Sequence, residues 1–217
     1  ITSAIAFGTI IMYGSLGEIL TEKSGNLNLG VPGIMYLGGF AGFASAYYYE
    51  NFAANTNPVL LALIPIVTAF LAAMLGGLIF SFLTTTLRAN QNVTGLALTT
   101  FGMGIANFFG LFILNGASYT AAPLSNAAIS KQIPFLSAFG TVGKMFFSHG
   151  FLVYFAIILA IAMHIFLYKS RAGLNLRAVG ENPATADAAG INVTKYKYLA
   201  TCIGAGISGL GGLFYVL

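Results

Sequence analysis

Charged side chains are scarce in this sequence, 6% of 217 residues, where soluble domains carry about 25%. So little charge cannot cover a water-soluble fold, and with 58% of residues hydrophobic the chain reads as an integral membrane protein. Cysteine is nearly absent too. Cys202 stands alone in an apolar run, which excludes an intrachain disulfide and a cysteine metal cluster. No Gly-x-x-x-x-Gly-Lys-Ser/Thr loop occurs, so ATP-driven work of the P-loop kind must come from a partner. Gly204-Ala-Gly-Ile-Ser-Gly209 fits the spacing of a dinucleotide loop, but it lies inside an apolar span with no βαβ unit around it and is not read as one. No internal repeat calls for an inverted-repeat carrier. His149 and His164 have no second ligand at metal spacing and read as polar packing or interface groups. The chain opens on Ile1, and residues 1–12 lack both a basic flank and a cleavage site, so this stretch reads as a span of a fragment and not as a signal peptide.

What is present is apolar length. Windows of roughly 20 residues, enough to cross the hydrocarbon, fall at 1–20, 27–48, 58–87, 93–114, 150–167 and 198–217. The expected fold is all-α: a polytopic transmembrane helix bundle of about six spans, one of them broken, in one domain, 1–217, with a polar loop at 169–197 that carries a short helix. The net charge of +4 must be read by location, and it does not argue for nucleic acid. Strict alternation puts Lys23, Arg88, Lys169, Arg171, Arg177, Lys195 and Lys197 on one side and only Lys131 and Lys144 on the other. Seven against two makes the first side cytoplasmic. The sequons at Asn92 and Asn192 then face the cytoplasm and should not be glycosylated. The long outer loop, 115–149, contains Pro123, Pro134 and an apolar patch at 133–139. It reads either as a cap over an external mouth or as an irregular connection covering helix ends.

The 170–193 stretch is a polar interruption with helix punctuation of its own. Asn182 suits an N-cap, Pro183 the first helical position and Gly190 a left-handed stop, which predicts a short helix over 183–189. A helix so short is marginal unless something holds it, and its surface of Ala184, Ala186, Ala188 and Ala189 is shaped for a partner's grip.

Polar groups recur at membrane depth in two places. The run Lys23-Ser-Gly-Asn-Leu-Asn-Leu-Gly-Val-Pro-Gly33 is composed to break a helix. Asn26, Asn28 and Gly30 would then line a path, because irregular backbone is tolerated in a membrane only beside protein or a water-filled cavity; the alternative is a loop ending near Gly30, with the helix starting at Pro32. The fourth span carries Asn92, Thr94, Thr99, Thr100 and Asn107, and Thr100, Gly104 and Asn107 share one helix face. That stripe suits a solute path, although a Thr can equally satisfy its hydroxyl on its own helix. Glu18 and Glu22 lie four apart on one face, where they could hold a proton or cation or form a solvated or salt-bridged pair with Lys23 nearby. Gly38 and Gly42, then Gly204, Ser208 and Gly212, have the spacing of tight helix packing.

Three blocks carry a resemblance: Leu16-Gly-Glu-Ile-Leu-Thr-Glu-Lys-Ser-Gly-Asn-Leu-Asn-Leu-Gly-Val-Pro-Gly-Ile-Met, Arg88-Ala-Asn-Gln-Asn-Val-Thr-Gly-Leu-Ala-Leu, and Leu176-Arg-Ala-Val-Gly-Glu-Asn-Pro-Ala-Thr-Ala-Asp-Ala-Ala-Gly-Ile-Asn-Val. They resemble bacterial ABC transporter permeases, nearest to the nucleoside and simple-sugar importers within the set that includes branched-chain amino acid and ribose permeases. The resemblance implies that 177–193 couples to an ABC ATPase subunit, with Arg177, Gly180, Glu181, Asn182, Pro183, Asp187 and Gly190 as the coupling residues, and that the segment near Asn26 and the polar fourth span belong to the translocation core. It also implies a second permease subunit, an extracytoplasmic solute-binding lipoprotein, a multi-pass place in the bacterial inner (plasma) membrane, and ATP and Mg on the partner with no cofactor on this chain. Pro32 stands where nucleoside-type members often carry Glu, and such permeases continue past the position of Leu217. The expectation is a transport subunit, not an enzyme, since no nucleophile and base stand at matched spacing. The alternative is a secondary transporter or channel with an ion site among Glu18, Glu22 and His164.

Overall fold

The computed structural model describes residues 2–53, 57–114, 122–130 and 149–217. Lys131, Lys144, Pro134 and the apolar patch at 133–139 lie outside them. Among the described residues the chain is all-helical: α1 (Thr2–Glu22), α2 (Val31–Phe52), α3 (Pro58–Ser81), α4 (Gln91–Leu114), α5 (Pro123–Ile129), α6 (Phe151–Lys169), α7 (Arg171–Glu181), α8 (Pro183–Ala188) and α9 (Val193–Val216). The six predicted windows correspond to the six long helices. Five of these are long and apolar enough to cross a membrane. The sixth, α2, has the length at 22 residues, but its glycines and tyrosines dilute its hydropathy.

Helix limits follow local chemistry. Pro58 and Pro183 sit where a missing N–H costs nothing, behind Asn57 and Asn182, whose side chains accept from Val59 and Thr185 amides. Asn192 starts α9 in the same way, accepting from Lys195 N–H, which is why this helix begins five residues before its apolar run. α3 carries on through a π-helical turn, Phe82–Thr86, and the chain then turns at Arg88, whose φ of 54° lies in the left-handed region.

α9 is the centre of the bundle. It packs against α1, α2 and α3, and α2 packs in turn against α3 and α4. Every residue from Gly204 to Leu213 is buried. Lipid tails are as apolar as Leu, so helices here associate through close van der Waals approach and hydrogen bonds, and the small residues supply that approach. Gly38 lies on Gly209, Gly77 on Thr201 and Ala205, and Gly212 on the Met35 carbonyl. The predicted small-residue pattern therefore works inside the chain.

The irregular backbone predicted after Lys23 is present over residues 23–30. It links α1 to α2 and does not interrupt either helix, and α2 runs unbroken from Val31. Contacts place this link, the start of α4 and α7 at one end of the bundle: Leu27 N–H donates to Gln91 Oε1 at 2.8 Å, and Gly180 lies on the Lys23 carbonyl. Lys23, Arg88 and the α6–α9 connection thus share a basic end, as the charge pattern required. At the other end, Glu50 of α2 accepts from the Leu124 and Ser125 amides at the start of α5.

Candidate coupling region and translocation face

The predicted short helix forms over Pro183–Ala188. Asn182 Oδ1 accepts from Thr185 N–H at 3.1 Å. Gly190, at φ 83°, closes the helix, with Gly190 N–H donating to Asp187 O at 2.9 Å and Ile191 N–H to Ala186 O at 3.0 Å. Ala186 is the only one of residues 183–190 that is buried, so the cap and stop hold up an alanine-rich surface that is open on its outer side.

Sequence reasoning missed the helix before it. α7 takes Ser170 as N-cap, accepting from Gly173 N–H at 2.9 Å, and buries Gly173, Leu176 and Val179. That three-residue spacing behind a serine was the available signal. Glu181, Asn182, Pro183, Asp187 and Gly190 are exposed. Arg177 and Gly180 turn inward instead. The Arg177 guanidinium carbon lies 4.8 Å from the centroid of the Tyr168 ring, its Nε is buried without a hydrogen-bond partner, and Gly180 packs on the backbone of Lys23 and Gly25. The predicted coupling residues therefore fall into an outer set and an inner pair.

The predicted path residues divide in the same way. Asn26 is 1% and Asn28 3% exposed, and both act as struts. Asn26 Nδ2 donates to Thr201 Oγ1 of α9 at 3.2 Å. Asn28 N–H donates to Glu18 Oε1 of α1 at 2.8 Å, and Asn28 Oδ1 accepts from Gly30 N–H at 2.8 Å. Thr94 is buried, and Gly30 lies against Gly95 and Leu98 of α4. Asn92, Thr100, Gly104 and Asn107 are exposed on α4; Thr100 returns its hydroxyl to Leu96 O at 3.2 Å. Glu18 and Glu22 differ from each other: Glu22 is exposed, whereas Glu18 is half-buried, with Oε2 unpartnered. His164 rests on Tyr168, ring centroids 4.9 Å apart.

Two cavities flank α1. One, of about 600 Å³, lies at the basic end between α1, α6, α7 and α9, with Leu20, Met163, Leu176 and Ile207 among its lining. The other, of about 500 Å³, lies at the far end, where His149 and Phe214 face it. Neither is lined by a predicted path residue.

Comparison with known proteins gives the family. The model of the family described as branched-chain amino acid transport system / permease component matches residues 1–217. The guanosine ABC transporter permease protein NupQ of Bacillus subtilis is 31% identical over 223 aligned residues, covering 99% of this chain and 66% of NupQ. The nucleoside ABC transporter permease protein NupC of Lactococcus lactis gives the same identity and coverage. TsgC13 of Haloferax volcanii, an ABC transporter permease whose assignment to glucose is provisional, is 31% identical over 98% of this chain and 60% of its own length. The chain thus spans 60% to 66% of the length of these relatives. No solved structure matches it at a significant level.

Proposed function

This chain belongs to the family of branched-chain amino acid transport system permease components, and from that premise we propose that it carries a nucleoside, simple sugar or similar small polar solute inward across a membrane, driven by ATP hydrolysed on a separate ABC ATPase. The observation that carries this reading is α8, a capped helix of six residues that stands outside the bundle with an alanine surface and two exposed carboxylates, Glu181 and Asp187. A rigid helix of that kind, seated in a partner's groove, turns the partner's closure into rigid-body movement of the helices to which it is joined. It is joined to α6 through α7 and to α9 through Gly190.

In this reading the basic end faces the cytoplasm, by the excess of Lys and Arg there. A second permease subunit completes the pore, an extracytoplasmic lipoprotein delivers the solute, and the exposed polar face of α4 borders the route. The nucleoside and sugar classes are supported by the guanosine, nucleoside and glucose assignments carried by relatives. The setting is a bacterial plasma membrane.

The test is reconstitution of the full-length permease with its ATPase and binding protein in proteoliposomes. Uptake of nucleoside or sugar should require ATP inside the compartment that holds the ATPase. Uptake that follows an ion gradient with no ATPase present overturns the proposal in favour of a secondary transporter.

A further inference from the structure

We infer that the α1–α2 link, residues 23–30, is the joint through which movement of α7 reaches α4, with Gly25, Gly180 and Gln91 as its positioning residues. This inference rests on the coupling role proposed for α7 and α8.

The input side is a contact between two glycines. Gly25 adopts φ 84°, a conformation that a side chain disfavours. A Cβ built there would lie 3.3 Å from Gly180 Cα, and one built on Gly180 would strike the Lys23 carbonyl and lie 3.1 Å from Gly25 N. With no side chain on either surface, the backbone of α7 bears directly on the backbone of the link. Protein interiors are close-packed and transmit strain, so a displacement of α7 has no rotamer change here to absorb it.

The output side is a clamp on the first turns of α4. Gln91 Oε1 accepts from Leu27 N–H at 2.8 Å, and Gln91 Nε2 donates weakly to the Gly25 carbonyl at 3.5 Å. Two turns further along, Thr99 Oγ1 donates to Leu29 O at 3.0 Å. Gly95 leaves room for the link itself: a Cβ there would lie 2.8 Å from Leu29 N and 2.9 Å from Gly30 N. Between input and output the link is pinned on the core, by Glu18 to α1 and by Asn26 to Thr201 of α9. Those two bonds supply a fulcrum.

The other connection is indirect, running from α7 to α9, from α9 to α2 and from α2 to α4. α4 packs chiefly on α2, with smaller contacts to α3 and its π-helical turn, while α7 packs on α6, α8 and α9. Among the described elements no comparable contact joins α4 directly to α7 or α8. Movement of α7 then reaches α4, which carries Thr100, Gly104 and Asn107, by the shorter connection through Gly25 and Gln91, without passing through α9 and α2.

The experiment uses the full-length permease assembled with its ATPase and binding protein, with Cys202→Ala as background and spin labels at Ile11 of α1 paired either with Leu174 of α7 or with Phe108 of α4; all three positions are exposed. In the unsubstituted complex ATP binding should change both distances. In Gln91→Met, which keeps the length of the side chain and removes both hydrogen bonds, the Ile11–Leu174 change should persist, the Ile11–Phe108 change should vanish, and uptake should fall about tenfold, within the usual range of site-to-site coupling, with ATP hydrolysis retained. Gln91→Glu, which keeps the acceptor for Leu27 N–H, should retain uptake. Native uptake or a persisting Ile11–Phe108 change in Gln91→Met overturns the joint, as does an equal loss in Gln91→Glu. A failure of the proposed function reads differently, since uptake by the unsubstituted complex would then be independent of ATP.

Discussion

Gly17 of α1 and Gly204 of α9 meet backbone to backbone, and a Cβ on either one would strike the other's carbonyl oxygen. Ser208 extends the seam one turn further, its hydroxyl reaching the Gly14 carbonyl at 3.4 Å. This is the closest form of association open to two helices in lipid, where burial of apolar surface gives no advantage over contact with acyl chains. The bundle is assembled around such seams on α9.

The seam predicts a sharp contrast between two glycines. Gly204→Val should lower the thermal midpoint in detergent, at a cost of about 1–3 kcal/mol or more, because neither backbone can yield. Gly104→Val, at a position with nothing within 4 Å of its Cβ direction, should leave the midpoint near native. Equal shifts in the two variants would count against α9 as the packing centre.

The Asn26–Thr201 strut should be measurable as a coupling. Both residues are buried, Thr201 completely, so removing either strands a polar group in the other. A cycle of Asn26→Val, Thr201→Val and the double variant should give an interaction of about 0.6 kcal/mol, with about 1.7 as the upper end for membrane helices. A coupling indistinguishable from zero would remove this bond from the fulcrum.

α8 should respond to its two end residues. Asn182→Ala should cost about 1 kcal/mol of local helix stability, and Gly190→Ala about 1–2 kcal/mol because φ is 83° there. Hydrogen exchange over 183–190 should quicken in both, with exchange in α9 unchanged, and Asn182→Ser should restore protection. Unaltered exchange would show that contacts with the bundle, not the caps, hold the helix.

The outer and inner coupling residues should fail in different ways. Glu181→Ala with Asp187→Ala removes two exposed charges, each worth about 0.2–1 kcal/mol in a surface pair, and should weaken ATPase association severalfold while solute affinity at the binding protein is unchanged. Arg177→Ala should act instead through α7, by loss of its stacking on Tyr168, about 0.5–1 kcal/mol or more. Titration of the purified ATPase onto permease in nanodiscs reads the first, and hydrogen exchange over 171–181 reads the second.

The exposed face of α4 can be assigned by thiol chemistry. In a Cys202→Ala background, Thr100→Cys and Asn107→Cys should react with a membrane-impermeant thiol reagent, and ATP should alter the rate, because the thiolate is the nucleophile and forms only where water reaches. If both positions are as unreactive as Leu111→Cys in every state, the face is turned to lipid and borders no path.

Much of this protein was legible without tertiary information, and the reason is local. Apolar length against the thickness of a bilayer sets the spans, the distribution of Lys and Arg sets a basic end, and Asn182, Pro183 and Gly190 act within one or two turns of their own positions, so α8 came out within a residue of its predicted limits. α7 was harder to read, because its three buried residues, Gly173, Leu176 and Val179, include a glycine whose apolar role is visible only once the backbone of Phe166 and Leu167 is seen against it.

The functional residues were legible as residue types but not as roles. Asn26 and Asn28 were correctly read as too polar for lipid, yet whether such groups face a cavity or a neighbour depends on helices distant in sequence: Thr201 lies 175 residues from Asn26. The same holds for Gly180. Its place in the 177–193 segment was plain from the sequence, but its contact with Gly25 exists only because the α1–α2 link and α7 arrive at the same end of the bundle. The sequence by itself determined the long apolar helices, the caps of α8 and a basic end of the bundle, since these depend on neighbours along the chain. Only the tertiary structure decided which polar groups are struts and which glycines are contacts, since those depend on close packing between helices that no local pattern encodes.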